Sequence, residues 1–388
     1  MKGDVVQEVR QEFAPWLTQT VRLGAGDRFA TFEYTVGAIP LVGILTEPAG
    51  GTNNQSHARL DDPGKLTGVG KEVVSTFKTD IASAGEVWTD SNGREMLHRK
   101  RDFRPTWKLN QTESVAGNYF PCNAAAAIRD TKAQLTVLVD SSQGTASLVD
   151  GKLEFMVHRR ITHDDGRGVG EPLDETEFVT SYVSHSIHGE HYGPGLVVRG
   201  KHTVSIEPPA TAAGVWRPLA DRVYAEPVVV FAAGANRISD ALHRHQRDRG
   251  GAFGASALTA PLPVNVQLIS FQQVGGSNTT DTVLIRLAHQ FGINEDATLS
   301  QPVTVDLATL FNASTAFKIT NAEEYSLTAN QPKAEIMRKR KRARAWHKDT
   351  VESHPWRLLA PLDFTADSKV VLGPLEIKTF LLTVTKSK

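Results

Sequence analysis

TVLIRLAHQF, from Thr282 to Phe291, carries Val283, Ile285 and Leu287 at alternate positions, with Arg286 between two of them. Successive side chains of a β-strand point to opposite faces, so this spacing is typical of a strand with one buried face. The stretch therefore predicts an antiparallel sheet that packs on a core with one side.

Two other stretches repeat the pattern, DRFATFEYTVG at Asp27–Gly37 and LEIKTFLLTV at Leu375–Val384. In the second, the alternation predicts that Leu375, Ile377 and Leu381 share the buried face. Shorter apolar runs predict further strands at Gln134–Val139, Leu153–His158, Leu196–Ile206, Pro227–Ala232 and Val264–Val274.

The order of these strands predicts the fold class. Strands do not alternate regularly with helical patterns, which argues against a parallel α/β core and for a mainly β, antiparallel sandwich. Asp150-Gly151 predicts a hairpin turn, because this pair tolerates positive φ. The best helical candidate is Glu323–Arg344, interrupted by Pro332. One β-sandwich region over residues 1–388 is expected, with a smaller β subdomain considered at about 320–388.

Composition narrows the class of protein. The 388 residues are 40% hydrophobic and 22% charged, with zero formal net charge, so no global field favours nucleic acid or an anionic membrane. No apolar run has the roughly 18 residues that a membrane span needs. The first residues lack an apolar signal core, so no secretory signal is expected. Cys122 is the only cysteine, which excludes an intrachain disulfide.

Three polar clusters have ordinary interpretations that outweigh functional ones. Asp90–Glu95 (DSNGRE) predicts a tight turn, and its two acids alone are weak evidence for an acid–base pair. The histidines in two short runs are better explained as loop residues than as metal ligands: His185, His188, His191, His243 and His245. The basic run Met337–Lys348 is better explained as a solvated surface than as a nucleic-acid site.

HRRITHDDGRGVGEP, His158–Pro172, is the strongest candidate for function. Asp164, Asp165 and Arg167 lie among glycines, so the loop can present a carboxylate and a guanidinium to a polyhydroxylated ligand. The alternative is an arginine held by an aspartate that only stabilises the loop. The residues by themselves leave both interpretations open.

Long segments resemble the C-terminal half of the lysosomal-type α-mannosidases of glycoside hydrolase family 38. They are Trp88–Asn123, Leu135–Pro172 and His289–Phe311, joined by Val5–Leu23 and Leu375–Val384. The resemblance implies a large antiparallel super-sandwich without the family's N-terminal α/β catalytic domain. That domain, which holds the Asp nucleophile and the zinc, is the implied partner, so no catalytic residue and no metal ligand is predicted in this chain.

The resemblance also implies what this region does. The arginine of the DDGRG loop contacts sugar hydroxyls in the family, so Arg167 becomes a substrate-binding candidate, with Asp165 as its neighbour. The implied activity is retaining hydrolysis of terminal α-mannose in N-glycan-type oligosaccharides, with this chain inactive by itself. The alternative is a stand-alone, non-catalytic carbohydrate-binding sandwich. If the chain is the C-terminal part of an α-mannosidase, an exposed apolar patch is expected where the missing domains would dock. If it is a stand-alone binding sandwich, that surface is expected to be polar.

Four N-glycosylation sequons begin at Asn54, Asn110, Asn278 and Asn312. They are candidate glycan acceptors of a lumenal protein. A lysosomal or vacuolar location is implied by the family resemblance alone.

Overall fold

The computed structural model describes residues 3–40, 70–161, 164, 166, 168, 173, 175, 195–226, 228, 257–276, 280–311, 317–342, 362–364 and 366–386. The chain divides into two compact units, Met1–Ala220 and Asp221–Lys388. The strands, numbered β1 to β18 in chain order, are Val6–Ala14, Leu17–Gly24, Ala30–Val36, Lys71–Lys78, Glu86–Asp90, Met96–Lys100, Phe120–Cys122, Ala125–Arg129, Gln134–Val139, Gln143–Ala146, Lys152–Arg160, Val198–Glu207, Val266–Gly276, Thr280–His289, Val303–Asp306, Phe317–Tyr325, Lys369–Leu372 and Ile377–Lys386. The helices are α1, Pro209–Tyr224, and α2, Lys333–Arg342.

The first unit contains two sheets. One has eight strands in the order β1-β2-β3-β12-β9-β8-β5-β6, and the other has four in the order β4-β11-β10-β7. Their strand pairs are antiparallel. Because β1 and β4 lie at sheet ends, each leaves one edge unpaired within its described sheet.

Both sheets contribute side chains to one core. Ile128 and Leu135 from the larger sheet cluster with Leu153 and Phe155 from the smaller one, and all four are at most 1% exposed. Burying such side chains is the main favourable term in folding. The unit is therefore a two-sheet β-sandwich.

The second unit also consists of two antiparallel sheets, with fewer strands than the first. Its larger sheet has the order β13-β14-β18-β16, and β15 pairs with β17. All pairs are antiparallel. Its core includes Val283, Ile285 and Leu287, the residues whose alternation predicted a buried face. The predicted mainly β, antiparallel fold is confirmed. The prediction of one sandwich region over 1–388, with a smaller subdomain at about 320–388, stays a prediction.

Several local predictions are confirmed. Gly151 has φ of 74° in the turn that joins β10 to β11, as expected for Asp150-Gly151. The predicted strand at Gln134–Val139 is β9, with identical bounds. The predicted strand Pro227–Ala232 lies outside the described residues except for Val228.

Other local predictions are wrong. In β18 the core face consists of Phe380, Leu382 and Val384, whereas Leu381 lies on the opposite phase. The predicted face began at Leu375, which has φ of 60° just before the strand, so the local pattern does not set the phase.

The predicted helix Glu323–Arg344 is also wrong in its first part. Residues up to Tyr325 belong to β16, and α2 begins only at Lys333. Pro332 precedes the helix rather than interrupting it, which suits a residue that lacks an N–H group. The sequence patterns did not predict α1, which contains Pro218.

Candidate functional site

The loop that follows β11 is closed at its base. β11 ends at Arg160, and the next residue, Ile161, donates its backbone N–H to the carbonyl oxygen of Leu173 at 3.0 Å. The two ends of the segment that contains the DDGRG stretch are therefore hydrogen-bonded to each other. We call this closed base, Ile161 and Leu173, the stem.

Asp164 shapes the turn inside this loop. Its Oδ2 atom accepts the backbone N–H of Gly166 at 2.8 Å, a local bond that lets an aspartate stabilise a turn two residues ahead. Arg167 and Asp165, the predicted sugar-contacting residues, lie outside the described residues. Their predicted role is not tested by the structure.

Two side chains at the end of β11, next to the stem, form hydrogen bonds to other segments. Nε2 of His158 lies 3.1 Å from the carbonyl oxygen of Leu196, and Nη1 of Arg160 donates to the carbonyl oxygen of Ile39 at 3.0 Å. The sequence patterns predicted no role for either residue. Their only signal was that they stand two apart on a strand, and hence on one face.

Asp90, the possible partner in an acid–base pair, is a structural anchor. It is 1% exposed, and its Oδ1 accepts the N–H groups of Asn123, Ala124 and Ala125 at 2.8, 2.7 and 3.0 Å. Its Oδ2 accepts the N–H of Gly93 at 2.6 Å. Glu95 is exposed. Asp90 is buried and its two oxygens bond backbone N–H groups, so it is not accessible to a substrate. The acid–base interpretation of this pair is therefore wrong, and the segment is a turn between β5 and β6.

Three polar side chains form a hydrogen-bonded chain inside the first unit. His202 on β12 is fully buried, and its Nε2 lies 2.8 Å from Oε1 of Gln143, whose Nε2 donates to the Tyr34 hydroxyl at 2.9 Å. The rings of Tyr34, Phe77 and Phe155 lie 5.0 to 5.7 Å from the imidazole ring. Burial lowers the pKa of His202 to about 4 and raises the pKa of Tyr34 to about 12.

The other sequence candidates are scattered. Asn110 is exposed, while Asn54, Asn278 and Asn312 lie outside the described residues. All five histidines of the two runs also lie outside them: His185, His188, His191, His243 and His245. The basic run begins within α2, where Glu335 pairs with Lys339 at 3.1 Å.

Among the described residues, no group of three His, Cys, Asp or Glu side chains is placed to hold a metal ion. These residues therefore do not provide a donor set for zinc. In the same part of the chain, no helix has the length and hydropathy to cross a membrane.

Comparison with known proteins identifies the family. Residues 1–167 match the model described as "Glycosyl hydrolases family 38 C-terminal domain", and residues 265–380 match "Glycosyl hydrolases family 38 C-terminal beta sandwich domain". The lysosomal alpha-mannosidase of Bos taurus is 41% identical over 386 residues, and that of Homo sapiens is 40% identical over the same length. The chain belongs to glycosyl hydrolase family 38.

These relatives are longer than the chain. Each match covers 99% of this chain and 32% of the relative. A crystal structure of an alpha-mannosidase from Enterococcus faecalis is similar over 94% of this chain and 28% of its own length, with 12% identity and a TM-score of 0.46. The family 38 chain described here thus spans about a third of the length of its curated relatives.

Proposed function

We propose that this chain is the C-terminal part of a family 38 α-mannosidase that hydrolyses terminal α-mannose in N-glycan-type oligosaccharides with retention. The observation that carries the proposal is the identity of 40% to 41%, over 99% of the chain, with proteins named lysosomal alpha-mannosidase. Residue identity at this level over such a length supports a shared role in the enzyme, although this chain matches only 32% of each relative.

In this proposal the chain supplies one wall of the sugar site. Arg167 would donate to sugar hydroxyls, because a guanidinium offers several N–H groups in a rigid, planar fork. Asp165 would accept from the arginine or from the sugar. The Asp164–Gly166 bond supports this role, since it places a defined turn immediately before Arg167.

Retaining hydrolysis needs two carboxyl groups about 5 to 5.5 Å apart on either side of the scissile bond. The anchored Asp90 does not meet this need. We place the nucleophile, the acid–base carboxylate and the zinc in the region of the relatives that this chain does not match. By itself the chain would then be catalytically inactive.

Exposed apolar side chains along β1 and at Val5, which precedes it, support a partner domain. Val5 is 80% exposed, Val9 58% and Phe13 62%, and Phe13 lines a cavity of about 310 Å³ between β1–β3 and β4. Apolar patches of this kind mark interaction sites. The occupant proposed is the N-terminal α-mannosidase catalytic domain, in the same or a separate chain. A polar surface would have favoured the stand-alone carbohydrate-binding sandwich.

Lysosomal or vacuolar location belongs to the same proposal. Four sequons fit a glycoprotein of that compartment, and the exposed Asn110 with Thr112 would be an accessible acceptor. Peptide mass spectrometry of the secretory-pathway product would show a glycan on Asn110.

The test compares the chain with a chimera. The chain and a bovine lysosomal alpha-mannosidase, whose matching segment is replaced by this chain, are assayed with a chromogenic α-mannoside at acidic pH with zinc. We expect turnover by the chimera and none by the chain. The Arg167→Ala chimera should have a KM raised by about tenfold or more, since a charged hydrogen bond contributes roughly 1.5 to 3 kcal/mol.

Other outcomes would reject the proposal. Zinc-dependent turnover by the chain alone, abolished by Asp164→Ala, would place catalysis in the DDGRG loop. Mannoside binding by the chain with a folded but inactive chimera would favour the stand-alone binding module.

A further inference from the structure

The end of β11 is tied to a rigid part of the first unit. Arg160 donates from Nη1 to the carbonyl oxygen of Ile39 at 3.0 Å. Ile39 is fully buried and clusters with Tyr34 and Val36. A side chain bonded to a close-packed segment is held in one place, because packed interiors deform little.

Gly195 provides the space for this contact. A Cβ atom added at Gly195 would lie 2.6 Å from Nη1 of Arg160, which is closer than a Cβ atom comes to a non-bonded nitrogen. The guanidinium therefore packs against the backbone of residue 195. On the neighbouring residue, the carbonyl oxygen of Leu196 lies 3.1 Å from Nε2 of His158. Two side chains on one face of β11 thus join the segments at residues 39 and 195–196.

The stem begins at the residue that follows Arg160. Ile161 donates to Leu173 at 3.0 Å, and a Cβ atom at Gly70 would lie 3.1 Å from the Cα atom of Ile161. The position of Arg160 therefore sets the position at which the loop leaves the sandwich.

We propose that Arg160 is a positioning residue for sugar binding, which fixes the stem from which the chain continues to Arg167. This inference rests on the proposed function of Arg167. Arginine suits this position, because its Nη1 atom donates to the Ile39 carbonyl oxygen while the planar guanidinium packs against Gly195. The ammonium group of a lysine could donate to the same oxygen but has no planar group to pack there.

The first measurement is hydrogen exchange at the Ile161 amide in the 388-residue chain. Arg160→Ala should accelerate exchange about five- to tenfold, as expected for the loss of one anchoring bond, and Arg160→Lys should restore part of the protection. Arg159→Ala is the matched control, because Arg159 is the adjacent arginine and is exposed. Unchanged protection in β9 would show that the variants are folded.

The second measurement is the steady-state kinetics of the chimera. Arg160→Ala should raise KM about fivefold and change kcat by less than about twofold, as for a lost binding interaction, and Arg160→Lys should lie between. Wild-type exchange in Arg160→Ala overturns the proposal, as does faster exchange with an unchanged KM. If the wild-type chimera is folded and inactive, the proposed function fails, while the exchange result still decides whether Arg160 holds the stem.

Discussion

Oδ1 of Asp90 accepts the backbone N–H of Ala124 at 2.7 Å and thereby joins the end of β5 to the chain between β7 and β8. The two residues are 34 positions apart. The same oxygen also binds the N–H groups on both sides of Ala124. One buried carboxylate therefore accepts hydrogen bonds from three backbone N–H groups. Buried N–H groups need such an acceptor, because an unpaired one is costly in a protein interior.

Replacing this carboxylate should destabilise the first unit. Asp90→Ala removes the acceptor of four N–H groups and is expected to lower the free energy of unfolding by roughly 3 kcal/mol or more, because hydrogen bonds to charged groups are strong and their buried donors stay unsatisfied. Asp90→Asn keeps one acceptor oxygen and should cost less. The measurement is the urea midpoint. Glu95→Ala, at an exposed position, should change stability by less than about 0.5 kcal/mol; equal effects would contradict the anchor.

Acidification should weaken the protein through His202. The pKa of this residue is about 4 when folded and 6.5 in its ordinary state. Between these values the unfolded chain binds a proton that the folded chain does not. Stability therefore falls as the pH falls from 6.5 to about 4, by on the order of 3 kcal/mol, and this contribution is constant above and below that window.

Urea titrations across this pH range test the effect. His202→Gln should be less stable near neutral pH and should show a flatter dependence on pH than the wild type. The comparison removes the contribution of carboxylates, which are common to both proteins. Parallel curves for the two proteins would show that His202 is not the group responsible.

Cys122 should be unreactive in the folded protein. Its thiol is fully buried, and burial, followed by the charge of Asp90, raises its pKa. Since only the thiolate is nucleophilic, a thiol reagent such as DTNB should react at least about a hundredfold more slowly than in concentrated urea. The chain has one cysteine, so the signal is unambiguous. Rapid reaction in native buffer would mean that β7 opens readily.

Alanine substitutions at Gly93 and Gly151 can distinguish the cost of backbone strain from the cost of steric overlap. Gly151 and Gly93 both have positive φ, 74° and 80°. A Cβ atom at Gly151 would lie 2.4 Å from the carbonyl oxygen of Thr79, whereas at Gly93 nothing lies within 4 Å. Gly93→Ala should therefore lower the free energy of unfolding by about 1 kcal/mol, which is the cost of the left-handed conformation for a residue with a Cβ atom.

Gly151→Ala should cost clearly more, about 3 kcal/mol, because strain and overlap add. Urea midpoints of the two variants against the wild type measure the difference. If both variants lose the same stability, the close approach of Thr79 to Gly151 is relieved without cost.

Local patterns predicted much of the fold. The alternation in Thr282–Phe291 and the Asp150-Gly151 pair depend on neighbouring residues only, because side-chain direction and turn geometry repeat over two to four positions. The phase of β18 could not be predicted in this way. Lys378 is 6% exposed on its buried phase, and only the partner strands determine which face of β18 meets the core.

The antiparallel β class, the family and the loop that bears Arg167 could all be predicted from the amino-acid sequence, since each is encoded in contiguous residues. The role of Asp90 as an anchor and the position of Arg160 beside the stem of this loop become visible only in the folded chain. The Asp90–Ala124 bond spans 34 positions and the Arg160–Ile39 bond spans 121. Hydrogen bonds act over about 3 Å, so groups so distant in sequence acquire these roles only when the folded sheets bring them together.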